Sequence, residues 1–94
     1  MKRSDIPYLD DLRAFETTAR CGTVRGAADE LSLTHAAISR RINRLADMIG
    51  TPLFERSGRG LRLTTAGDQL ADVCRRSFDD LSRTIATIRE AQVT

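Results

Sequence analysis

Six arginines, Arg40, Arg41, Arg44, Arg56, Arg59 and Arg62, fall within the 29 residues from Thr34 to Arg62, where only Asp47 and Glu55 oppose them. The local net charge is therefore +4, although the whole chain carries only +2. A guanidinium is planar, permanently charged and forked, so it matches phosphate oxygens and the guanine edge in a way that a lysine ammonium does not. Lys2 is the only lysine in the sequence. A bland solvated surface would intersperse acids with these cations; a concentrated arginine segment instead reads as the footprint of an anionic polymer.

The rest of the reactive inventory is sparse. A single histidine, His35, and two cysteines, Cys21 and Cys74, form no metal-ligand cluster, and no glycine-rich phosphate loop is present. An enzyme is excluded on that inventory, and no cofactor or metal is expected. In a cytosolic chain two separated cysteines read as small buried hydrophobes, and neither has a flanking cation arrangement that would make it a thiol sensor. At 94 residues, 40% hydrophobic and 30% charged, the chain is one small globular unit. It has no apolar run of about 20 residues and no h-region behind Lys2 and Arg3, so it is expected to be soluble and cytoplasmic, with no membrane partner.

Apolar periodicity supplies the elements that must position the arginines. Tyr8, Leu12, Phe15 and Ala19 recur at helical spacing, with Asp10 as the expected N-cap and Gly22 as the stop. Thr23 caps a helix of two turns with Ala27, Ala28 and Leu31 on its apolar face. Ser32 and Leu33 make a short turn, and Thr34 caps a third helix from about His35 to Ile49, ended by Gly50 and Pro52. Helix, short turn and helix are the ingredients of helix-turn-helix. In the third helix Ile38, Ile42, Leu45 and Ile49 form the core stripe, while Ala36, Arg40, Asn43, Arg44 and Asp47 lie opposite, a face that can enter a major groove.

The run from Pro52 to Thr64 predicts a hairpin whose turn, Ser57-Gly58-Arg59-Gly60, carries Arg59 at its tip. Beside a helix-turn-helix this hairpin is a wing, and an exposed tip arginine suits a narrow, negative minor groove. A last helix, about Thr65 to Ala91, spans roughly 40 Å. Along it Ala71, Cys74, Phe78, Leu81, Ile85 and Ile88 follow alternating three- and four-residue steps, a heptad seam that predicts a homodimer. Leu70 and Val73 are expected to face the chain's own core. The predicted fold is mainly α: a winged helix-turn-helix over residues 1–64, with a short two-stranded wing, and a long C-terminal dimerisation helix over residues 65–94.

These residues, in order, resemble the N-terminal DNA-binding domain of LysR-type transcriptional regulators. The resemblance runs from Leu9 to Ile88. It rests on Leu12 with Phe15, Ala27-Ala28 with Leu31, Thr34, Ala37-Ile38-Ser39-Arg40 with Ile42 and Leu45, Gly50 with Leu53-Phe54-Glu55-Arg56, Arg59, and Leu63-Thr64 with Ala66-Gly67. It implies that the third helix is a recognition helix, the hairpin a wing and the fourth helix a dimerising linker. It further implies a double-stranded DNA operator and a small-molecule effector held by a domain that this chain lacks; the two-fold symmetry of the expected dimer makes that operator an interrupted palindrome. Candidate DNA contacts are Thr23, Thr34, His35, Ala36, Ser39, Arg40, Arg41, Asn43, Arg44, Arg56 and Arg59. Where the family commonly shows Ser-Gln this chain has Thr34-His35, and Arg41 and Thr65 replace a common glutamine and proline. A glutamine can make a bidentate contact to adenine that imidazole cannot. The alternative on this fold is a module for protein contact or sequence-blind DNA binding.

Overall fold

The computed structural model describes residues 5–58 and 60–93. Its elements follow in the order α1 (Leu9–Cys21), α2 (Val24–Leu31), α3 (His35–Ile49), β1 (Phe54–Ser57), β2 (Gly60–Leu63) and α4 (Thr65–Ala91). The strands pair antiparallel with Phe54 opposite Leu63 and Ser57 opposite Gly60, which is the predicted wing. No helix among the described residues is long and apolar enough to cross a membrane.

Three of the four helices begin with the same device. The Thr23, Thr34 and Thr64 hydroxyl oxygens accept from the backbone N–H of Gly26, Ala37 and Gly67, each at 3.0 Å, satisfying a donor that the helix itself cannot. Helix α1 departs from the expected Asp10 cap: it starts two residues earlier, after Tyr8, with no side-chain cap. Asp10 and Asp11 sit instead within the first turn, where a carboxylate is favoured by the helix dipole. At the end of α3, Gly50 adopts φ +88° and returns its N–H to the Ala46 carbonyl at 2.8 Å, a conformation that a side chain would oppose.

The core collects Ala14 and Phe15 from α1, Ala27 and Ala28 from α2, Ile38, Ile42 and Leu45 from α3, Leu53 from the loop before the wing, and Cys74 from α4. Burying side chains the size of Phe15, Ile38, Leu45 and Leu53 contributes about 1.5 to 3 kcal/mol each. The wing is tied into this body at two points. Phe54 packs its ring against Phe15, with centroids 5.4 Å apart. Gly67 lies so close to the loop that an added Cβ would sit 2.0 Å from the Leu53 carbonyl oxygen. Only glycine fits there.

Six residues predicted for the core or seam lie elsewhere. Tyr8 is exposed and serves as a platform under Arg44. Ile49 is 45% exposed because the last turn of α3 runs past the body before Gly50 ends it. Val73 is exposed because it lies about 120° around α4 from the centre of the face formed by Gly67, Leu70, Ala71, Cys74 and Phe78. Cys74, expected in the dimer seam, is buried in the chain's own core, and Ala71 and Phe78 pack against that core. The apolar stripe of α4 is thus divided. Its first three turns cover the body, and from Asp79 to Val93 every residue is exposed, including Leu81, Ile85 and Ile88.

Candidate nucleic-acid interface

Helix α3 presents its crest and two flanks differently. At about 100° per residue, Ala36, Arg40 and Asp47 lie opposite the buried Ile38, Ile42 and Leu45. Ala36 and Arg40 are exposed. His35 and Ser39 turn towards the wing, where they line a cleft of about 390 Å³ together with Thr23 and Arg25 of the α2 start and Arg56 of β1. Arg44 turns towards α1, and Arg41 lies on the same flank of α3 at helical spacing. Thr34 fixes the start of α3 with its hydroxyl oxygen and keeps its proton free to donate, as does Thr23 for α2.

The six central arginines are not equivalent. Arg44 donates from Nε and Nη2 to the two carboxylate oxygens of Asp11, at 2.7 and 2.6 Å, and its guanidinium carbon lies 4.9 Å from the Tyr8 ring centroid. Those hydrogen bonds hold its pKa further above the ordinary guanidinium range, against the opposing effect of desolvation. Arg62 pairs across the wing with Glu55, donating from Nε and Nη2 at 3.1 and 2.9 Å. In contrast Arg40, Arg41 and Arg56 form no ion pair among the described residues. Arg59 lies outside the described residues.

Four of the predicted contacts, Thr23, His35, Ser39 and Arg56, come from three elements and converge on the wing cleft. Arg40, Arg41 and Asn43 continue along α3. Arg44 also reaches α1, with two of its five N–H donors on Asp11. Arg25 was missed in the sequence reading: a lone arginine early in a two-turn helix carries no motif, and only the fold places it in the same cleft as Arg56. No cluster of histidine, cysteine and carboxylate side chains able to hold a metal occurs among the described residues.

Residues 9–68 match the family of bacterial regulatory helix-turn-helix proteins, lysR family. The chain belongs to the LysR family. This LysR-family chain is 44% identical over 85 residues to the HTH-type transcriptional regulator TrpI of Pseudomonas aeruginosa, an alignment covering 90% of the chain and 29% of TrpI. It is 46% identical over 82 residues to the HTH-type transcriptional activator AmpR of Citrobacter freundii, covering 87% of the chain and 28% of AmpR. The chain therefore spans less than a third of the length of the LysR-family regulators it matches. Among solved structures, the CbnR_DBD-DNA complex superposes with a TM-score of 0.74 at 32% identity, covering 87% of the LysR-family chain and 94% of the other.

Proposed function

We propose that this chain is the sequence-specific DNA-binding part of a LysR-type transcriptional regulator. Helix α3 enters the major groove, Arg40 and its neighbours His35, Ala36 and Ser39 read base edges, and Arg41 and Asn43 lie nearer the groove walls. The wing brings Arg59 to the adjacent minor groove. The observation that carries the reading is that Arg40, Arg41 and Arg56, along α3 and β1, form no ion pair among the described residues, whereas Arg44 and Arg62 have protein partners. The DNA-bound CbnR_DBD supports it at 32% identity.

Two copies associate through Leu81, Ile85 and Ile88 of α4, the half of the apolar stripe left uncovered. An isologous two-fold contact presents two recognition helices in opposed orientation, so the operator is an interrupted palindrome. Regulation by a small molecule belongs to the remainder of a longer protein.

Selection of bound sites from random duplex DNA, followed by competition of the selected site against bulk DNA at fixed salt, tests the reading. An enriched palindrome that bulk DNA displaces poorly is the expected result. Equal displacement by any duplex would make the chain a sequence-blind binder, and no binding to duplex DNA would make it a protein-contact module.

A further inference from the structure

We propose that Arg25 and Arg56 form opposing jaws that hold the phosphodiester backbone of one DNA strand in the cleft between α2 and the wing. This rests on the reading of α3 as a DNA-binding helix, and it names a grip separate from base readout. Arg25 is the second residue of α2 and is exposed. Within its own helix it is badly placed: a cation in the first turn opposes the helix dipole, and that turn contains no acid to offset it. Asp29 stands four residues on, at the spacing that commonly pairs charges on a helix, yet the two form no salt bridge among the described residues. Glu30, the other acid of α2, is taken by Arg20. Nothing in the local structure accounts for a cation at this position, and residues that break a local rule without internal compensation belong to functional sites more often than to scaffolding.

The fold supplies what α2 lacks. Arg25 and Arg56 arrive from different elements at the same cleft of about 390 Å³, neither with an acidic partner among the described residues, and Thr23 and Ser39, each with a hydroxyl, line it with them. Two forked cations and two hydroxyl donors are the chemistry of a phosphate seat. His35 and Ser39 make this cleft continuous with the recognition helix, so a strand whose bases face α3 runs its backbone through it. That continuity favours a DNA phosphodiester over a free anion as the occupant.

The test measures affinity of the chain and its variants for the selected site and for random duplex across a salt series. Arg25→Ala is expected to weaken both duplexes by the same factor, roughly threefold to tenfold, and to reduce the log–log salt slope by about 0.9 per subunit. Arg25→Lys keeps the charge and is expected to keep the slope. Loss in the double variant Arg25→Ala with Arg56→Ala should differ from the product of the single losses, because the two jaws share one occupant. Inorganic phosphate should compete no better than sulfate at matched ionic strength.

An unchanged affinity and slope in Arg25→Ala, with an unchanged thermal midpoint, would overturn the proposal, as would a change in the preferred bases. Specific competition by inorganic phosphate would make the cleft a small-anion site. Failure of the unaltered chain to bind any duplex would sink the DNA-binding reading itself.

Discussion

Arg44 on α3 and Asp11 on α1, 33 residues apart, share two hydrogen bonds, and the Asp11 side chain is only 3% exposed while that of Arg44 is 51% exposed. The pair is asymmetric. Drawing Arg44 away to a phosphate would leave a buried carboxylate unpartnered, a costly outcome, so Arg44 braces α3 against α1 and Tyr8 steadies it from the outer side. Arg44→Ala is accordingly expected to lower the thermal midpoint by several degrees and to leave the salt slope of DNA binding unchanged. Combining it with Asp11→Ala should recover part of the loss, since the stranded charge is removed. Calorimetry of the two single variants and the double variant checks this.

Arg40, Arg41, Arg56 and Arg59, with Arg25, are expected to set the salt dependence of DNA binding. If three to five of these contact phosphate in each subunit, a dimer shows a log–log slope of about −5 to −9. Fluorescence anisotropy between low and moderate salt measures it. A slope near zero would remove the electrostatic basis of the interface.

The divided stripe of α4 separates two classes of substitution. Replacing Leu81 and Ile85 with aspartate is expected to give a folded monomer, because both lie beyond the last core-packed residue, Phe78. Burying two such side chains in a dimer contributes roughly 3 to 6 kcal/mol per subunit. Phe78→Asp should instead unfold the body. Sedimentation combined with circular dichroism distinguishes the two.

Cysteine labelling probes the same boundary. Cys21 is exposed and Cys74 is buried. A thiol reagent should therefore modify one cysteine per native chain, and Cys74 should stay protected in the Leu81→Asp, Ile85→Asp monomer. Burial, aided by the nearby Glu16 charge, pushes the Cys74 thiol above its ordinary value. The sign follows from linkage: the unfolded thiol ionises first as pH rises past roughly 8.5, so the stability present below that value declines until the raised native value is reached. Replacing Cys74 with alanine should flatten that alkaline decline.

Gly67→Ala tests the joint between wing and linker. With a Cβ 2.0 Å from the Leu53 carbonyl oxygen, the start of α4 or the loop must shift. A loss of about 1 to 3 kcal/mol is expected, read as a lower denaturation midpoint.

Elements whose signals are local were legible in the sequence. Thr23, Thr34 and Thr64 each announce a helix start beside the residues they cap, and Gly22 and Gly50 announce ends. What sequence did not reveal depended on distant partners. The heptad steps through Cys74 are the same whether the opposing surface is a second chain or the chain's own body, and only the length of that body decides. Arg44 looks free until α1 brings Asp11 to it. The interface was legible as a charge cluster, and its jaws were not, because the closeness of α2 to β1 is a property of the packed helices.

From Asp79 to Val93 every described residue is exposed, and the outer half of α4 continues from the winged body as one unbroken helix up to Ala91. The helix is therefore a drive shaft, and its phase is part of the site. One residue inserted after Asp79 would rotate the Leu81, Ile85 and Ile88 stripe by about 100° and advance it by 1.5 Å. Seven would restore the facing to within about 20° and lengthen the shaft by roughly 10 Å. With the stripe as the joint between two copies, these insertions change how far apart, and at what angle, two otherwise unaltered recognition helices can be presented to one duplex.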